Sequence, residues 1–418
     1  MKRVGIVGPA GAGREVLEVV ARSGAVELDL PHTPGDGPEE VDRTLAAAVV
    51  RGPVGGWVGW VPARDLPALG QQLAEVGSAA VPLAHPRGMQ PPTLIPGRQR
   101  LSRSLVDTYG TVPYADVDPS RLAGVAYVVM FGMMFGDVGH GALLVVAGLV
   151  LRSGRITRLA GLRRTWAFVT AAGAMAMVFG ALFGEAFGPT GLVPVLWLDP
   201  LANPIPLLVA ALVIGAVLLA GAYVLGTVNR VREGGWGYAL YASSGVAGSV
   251  LFLAVGLLAW GILAGIDPLV VVAAILAATA LGLIFVGFFV DAGGGGAGAA
   301  QATIELVDSV IRLGSNVVSF MRLAAFGLTH AALLTVVWNG TTALWGGGGA
   351  RAVAAVALFV VGNALTFALE ALVAGIQALR LEYYELFSRI FSSEGRPFRP
   401  WAPALATAGS ATTEGGHA

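Results

Sequence analysis

The sequence predicts a mainly α-helical polytopic membrane protein of about eight transmembrane helices, the last two long and tilted, behind a small α/β lobe. Three observations predict it. Of 418 residues, 55% are hydrophobic and only 12% charged, about half the charged share of a soluble globule. The mean hydropathy is +0.73. Apolar stretches long enough for a bilayer recur from residue 122 onward, whereas residues 1–95 show the short alternating runs of a mixed α/β domain. Composition also excludes several classes. The chain has no cysteine, so it has no disulfide, thiolate metal site or cysteine nucleophile. Its formal net charge is zero, and no basic run points to nucleic acid.

The start, M1-K-R-V-G-I-V-G, turns polar too quickly for a secretory signal, so a cytoplasmic lobe is expected. Val4–Val7 reads as a strand, Arg14–Ser23 as an amphipathic helix and Ala25–Leu30 as a second strand. A Pro/Gly-rich loop follows over 31–38. Val54–Val61 then reads as a strand, Ala63–Val76 as a helix and Ala79–Leu83 as a last strand. This is close to two βαβ halves, as in a ferredoxin-like lobe. G8-P-A-G-A-G13-R-E follows a strand and opens a helix, as a nucleotide-binding loop does. Arg14 and Glu15 replace the lysine and hydroxyl residue of a phosphate loop, so it reads as a tight glycine turn.

Residues 96–121 form a polar linker with Arg98, Arg100, Arg103 and Arg121. The membrane domain is expected over 122–395, with spans near 122–136, 139–152, 164–188, 206–228, 240–263, 268–290, 303–337 and 352–390, and a disordered tail over 396–418. Loop charge sets the orientation. The 152–164 loop holds five arginines, the 189–205 loop no lysine or arginine, the next loop Arg230 and Arg232, and the tail Arg396 and Arg399. Eight spans put these clusters on one side, with both termini cytoplasmic and only the loop arginine Arg351 opposite. The last two helices exceed the roughly 30 Å hydrocarbon thickness at about 1.5 Å per residue, so they tilt, protrude or both.

These long helices also carry the unusual charges. Arg322 lies in S319-F-M-R-L-A-A-F-G-L-T-H330 with apolar turns on both sides. A charge at that depth costs roughly 3 kcal/mol on insertion scales. Asp308, Ser315, Arg322 and Thr329 recur every seven residues and share one helical stripe, with His330 beside it. On the last helix Asn363, Glu370, Gln377 and Tyr384 repeat the spacing, and Arg380 is one turn beyond Gln377. The two stripes satisfy each other as a polar zipper or line water as a proton path. F131-G-M-M-F-G-D-V-G-H-G141 adds Asp137 and His140. Two ligands alone make a weak metal site, and its glycines suit close packing or a tight turn. Glu185 reads as interfacial. No nucleophile–base pair is evident.

With these blocks in view, the sequence resembles the membrane subunit a, or subunit I, of V-type and archaeal-type rotary ATPases. The resemblance rests on Pro91-Pro92-Thr93, Tyr109-Gly110, Asp118-Pro119, M134-F-G-D-V-G-H-G141, F183-G-E185, S319-F-M-R-L323 with T329-H330, G362-N363, Glu370 and I376-Q-A-L-R-L-E-Y-Y-E-L-F387. The spacings Arg322 to His330 and Glu370 to Arg380 also fit, and V58-G-W-V-P62 resembles part of the family's cytoplasmic domain. That domain is several hundred residues long in the family, with a coiled-coil hairpin between two lobes. Here residues 1–121 precede the membrane part and show no heptads. The resemblance implies a non-catalytic stator subunit in the cell membrane, with no cofactor, metal or ATP site, partnered by a proteolipid ring, peripheral and central stalk subunits and lipids. It implies that Arg322 faces the ring carboxylates and that Arg380 supports it. Asp137, Asp308, His330 and Glu370 would line two ion half-channels, with Ser315, Ser319, Asn363, Gln377 and His140 as polar lining. The alternative reading is a self-contained proton-coupled transporter, although no internal repeat is visible.

Overall fold

The computed structural model describes residues 1–31, 38–84, 89, 91–94, 112–114, 116–391 and 395–403. Most of the expected 96–121 linker and the tail beyond 403 lie outside the described residues. The chain divides into two compact units, one of residues 1–97, 111–114 and 393–418, the other of residues 98–110 and 115–392.

In the first unit β1 (Lys2–Pro9) alternates so that Val4 and Ile6 are fully buried. It pairs antiparallel with β4 (Val54–Val61) and β5 (Ala79–Leu83), and Ile6 stands opposite both Trp57 and Ala80. β2 (Glu27–Leu28) pairs with the far side of β4, giving the order β2-β4-β1-β5. Helix α1 (Gly13–Ser23) buries Val16, Leu17, Val19 and Val20 and ends at Gly24 in the left-handed region. Helix α3 (Leu66–Glu75) buries Leu69 and Leu73. β1-α1-β2 and β4-α3-β5 are the two expected halves. Between them the sequence reading missed α2 (Pro38–Ala46) and β3 (Val49–Arg51), which pairs with β4. The Trp57 indole donates to the Thr44 carbonyl (2.8 Å) and anchors α2 to the sheet. The glycine run serves close packing: none of Gly8, Gly11 and Gly13 has a positive φ, and a side chain at Gly13 would press on Leu45 and Trp57.

The expected tail starts differently. Pro397 bridges to Thr93, the Trp401 amide donates to the Val26 carbonyl (2.7 Å), and Trp401 is buried in the lobe core. Arg396 pairs with Glu27, and the Arg399 amide donates to the same carboxylate at 2.8 Å. An apolar indole and a paired arginine dock these residues, so residues 396–403 belong to the lobe.

In the second unit α4 (Ser120–Met134) and α5 (Val138–Ser153) are short apolar helices. After a 3-10 segment (Thr157–Thr165) come α6 (Trp166–Phe183), α7 (Pro204–Tyr241), α8 (Val246–Ala264) and α9 (Asp267–Asp291). Then follow α10 (Gly295–Ser319), α11 (Met321–Trp345), α12 (Gly349–Leu381), a π-helical turn (Glu382–Phe387) and α13 (Ser388–Ile390). Among the described residues, six helical runs are long and apolar enough to cross a membrane. The chain is a mainly α-helical multi-pass membrane protein.

α4 and α5 pack on α6, α8 on α9, and α11 on α12. Glycines bring the first group together: a side chain at Gly141 would overlap the Gly173 carbonyl and Met177. α7 breaks at Gly235, whose φ of 78° suits glycine. The expected 303–337 span starts earlier, at Gly295, and breaks at Phe320. There the Phe320 amide bonds Val317 and the Leu323 amide bonds Phe320, a tightening to i→i+3. Phe320 is fully buried in a space that a side chain at Gly215 on α7 would fill.

Trp401→Ala is expected to cost about 3–5 kcal/mol of lobe stability. The readout is hydrogen exchange in the full chain: amides of β2 exchange faster in the variant, while those of α11 and α12 do not change.

Candidate functional site

Asp137 has extended backbone geometry and caps α5; its Oδ1 accepts from the His140 amide (2.8 Å). Its Oδ2 accepts from the Gly188 amide (2.9 Å), and the Val138 amide donates to the Glu185 carbonyl (2.9 Å). One buried carboxylate therefore ties the α4–α5 turn to the chain after α6. Capping also points His140, one turn on, into the bundle. There its ring meets Phe187 and Phe367 at 5.5 Å, His330 at 5.6 Å and Phe135 at 5.7 Å. Phe187 is the only described non-glycine residue with positive φ, 55°. That strained backbone sits against the His140 ring. Glu185 is buried beside this turn.

His330 comes from α11 and is 1% exposed. Its Nδ1 pairs with Glu370 Oε2 on α12, while its Nε2 has no partner. The other Glu370 oxygen is also buried and unpartnered, as is the Asn363 Oδ1 one stripe position away. The Asn363 amide lies alongside the His140 ring and donates to the Phe359 carbonyl (2.9 Å). The structure therefore brings Asp137, His140, His330, Glu370 and Asn363 into one buried polar layer.

A second layer lies eight residues from His330 and ten from Glu370, about 12–15 Å away along the helices. Here Ser319 hydrogen-bonds Glu385, and both Arg322 and Arg380 act on that carboxylate. Arg322 is half-buried, and its Nη1 is enclosed without a hydrogen-bond partner. The Gln377 carbonyl oxygen is likewise buried and unpartnered. Glu385, in the π-turn, was missed as a site residue. Its only sequence signal was its place in L381-E-Y-Y-E-L-F387, one turn past Arg380.

Asp308 and Ser315 do not join either layer. Asp308 pairs with Arg312 (2.6 Å) on the exposed side of α10, and Ser315 is exposed. Both lie on α10, before the tightened step at Phe320, whereas Arg322 and His330 lie on α11.

The V-type ATPase 116kDa subunit family matches this chain over residues 54–168 and 299–402, more than half of its length. The chain belongs to that family. Both matched stretches together hold every residue of the two layers. Among relatives, the A-type ATP synthase subunit I of Aeropyrum pernix is 28% identical, over 87% of this chain and 59% of its own length. That of Thermococcus kodakarensis is 26% identical, over 82% of this chain and 53% of its own. The V-type ATP synthase subunit I 2 of Treponema pallidum is 35% identical over 31% of each. The chain thus spans a little over half the length of those two archaeal relatives.

A third polar group holds the entry to α4 in this family member. The Asn229 amide accepts from the Val117 amide (2.9 Å) and donates to the Ile390 carbonyl (3.2 Å). Arg230, 1% exposed, pairs with Glu233 at 2.5 Å. Burial, then the neighbouring Glu233 carboxylate, raises Asp116 to about 7 against an ordinary 3.8. The folded state therefore holds a proton that the unfolded chain releases. This stability contribution is full below pH 3.8 and is lost as pH rises through 7. Asp116→Asn is expected to match wild type near the acid end and to unfold at a higher temperature than wild type above neutrality. Thermal unfolding of detergent-solubilised protein across that window tests it.

Proposed function

We propose that this chain is the stator membrane subunit of a V/A-type rotary ATPase, carrying ions between two half-channels and coupling their flow to rotation of a proteolipid ring. The observation that carries the reading is the separation of two polar layers on the α11–α12 hairpin. One layer is carboxylate and imidazole, Asp137, His140, His330 and Glu370; the other holds Arg322 and Arg380. Acid and imidazole groups at membrane depth suit proton relay. A fixed cation suits a different role. Near a passing carboxylate it favours the ionised form and makes the carboxylate give up its ion. The same cation bars a direct leak between the two half-channels. Arg322 is only half-buried, so part of its side chain remains open to a neighbouring subunit.

Along α12, Val353, Val360, Leu365, Leu369 and Leu372 are exposed, apolar surface suited to lipid or to the helices of a ring. In this reading Asp137, His140, His330, Glu370 and Asn363 line one half-channel, and Ser319, Gln377 and Glu385 border the arginine gate. Asp308 and Ser315, exposed on α10, lie at the mouth of the other half-channel. The chain moves ions and leaves ATP chemistry to partners: ring, peripheral stalk and central stalk subunits. The membrane is the cell membrane, with both termini cytoplasmic. The lobe of residues 1–95 is the docking element for the stalks, an assignment supported by the family match beginning at residue 54 within it.

Arg322→Gln in the whole complex is expected to abolish ATP-driven proton uptake into vesicles while assembly remains intact. Uptake at the wild-type rate would make Arg322 structural and overturn the reading. If no ring or ATPase subunits co-purify with the wild-type chain, the self-contained transporter takes its place. The cysteine-free sequence permits a second test. Single cysteines at Ser319 and Gln377 are expected to react with water-soluble thiol reagents from one side of the membrane, and uniform protection would argue against an aqueous path.

A further inference from the structure

Sequence alone offers Asp137 and His140, two ligands and a weak site. The fold adds a third from another helix. One donor atom from each of Asp137, His140 and His330 lies within 4.8 Å of the others, and all three residues are buried. Donors around one tetrahedral ion stand about 3.3 Å apart, so small side-chain rotations close the difference. We propose that Asp137, His140 and His330 form a binding site for one divalent transition-metal ion, Zn2+ being the best match.

Four features of the site support this. Neither His140 ring nitrogen makes a well-formed hydrogen bond, the Asn363 side chain being its polar neighbour, although the residue is 0% exposed. An unmade hydrogen bond of that kind is costly, and a metal ion would relieve it. His330 is oriented as metal-binding histidines are: Glu370 holds Nδ1, leaving Nε2 directed away and unpartnered. Asp137 is held by two backbone amides, and a carboxylate has lone pairs beyond those two. The unpartnered Asn363 Oδ1, or a water molecule, completes four-coordination. Two imidazoles with one carboxylate select Zn2+, Cu2+ or Ni2+ over Mg2+ and Ca2+, which take oxygen ligands. The carboxylates of Asp137 and Glu370 match the charge of a divalent ion.

Binding stands on these side chains alone. Its consequence rests on the half-channel reading above: an ion held here occupies the acid–imidazole layer and stops proton passage. The probe is Zn2+ itself, added to the full chain purified in detergent without a histidine tag. One Zn2+ per chain is expected to remain after gel filtration, with nitrogen and oxygen ligands by X-ray absorption. His140→Gln and His330→Gln are each expected to lose it, and Glu370→Gln to weaken affinity about 10–100-fold. Replacing the three other histidines, His32, His85 and His417, is expected to leave it in place. No stoichiometric Zn2+, or binding unchanged in both His140→Gln and His330→Gln, overturns the site.

The second measurement is Zn2+ titration of ATP-driven proton uptake by the whole complex. Inhibition of the wild-type complex that is half-maximal at the Zn2+ concentration that half-saturates binding supports the site within the path. Histidine-dependent binding with unaltered uptake keeps the metal site and takes this layer off the ion path. Absence of binding with uptake still abolished by Arg322→Gln removes the metal site and leaves the rotary reading standing.

Discussion

The contact between His330 on α11 and Glu370 on α12 is the interaction on which the membrane unit depends. It joins two polar side chains that neither helix can leave facing hydrocarbon, and it sets the register of the hairpin. With His330 opposite Glu370, Ser319 and Arg322 fall opposite Glu385 and Arg380. A slip of one turn would separate both groups. The same contact makes room for the α4–α5 turn, because His330 presents its free edge to His140. Burying several ionisable groups is costly unless they find one another. The bundle meets that demand by gathering most of them into small groups, and on α11 and α12 it leaves the turns between the two layers apolar.

Glycine makes the layers reachable. α5 and α6 approach through Gly141 and Gly173, and α7 receives Phe320 over Gly215. Phe320 marks the tightened step between α10 and α11, just before Arg322.

Much of this was legible in the residues. β4 and β5 have the bounds their alternation indicates, and the amphipathic period of α1 was clear. Arg322, His330, Glu370 and Arg380 were conspicuous because charge is scarce in apolar runs. Three features were not legible, each for a physical reason. α2 and β3 follow a Pro/Gly-rich stretch, and what anchors α2 is a distant hydrogen bond, from Trp57 to Thr44. The pairing of Asp308 with Arg312 on the exposed side of α10, away from both layers, is not encoded in the seven-residue period. The convergence of Asp137 and His140 on His330 is tertiary: nearly two hundred residues separate them, and no local spacing encodes it.

The lobe has a consequence for biosynthesis. Its core includes Trp401, whose amide bonds the carbonyl of Val26, and Arg396 and Arg399 both engage Glu27. These partners leave the ribosome only after every membrane helix has been made. Closing so long a loop is entropically slow. During translation, then, the nascent lobe exposes the apolar groove meant for Trp401. It reaches its final stability only when membrane insertion is complete, so the maturity of the lobe reports that the membrane helices have been delivered.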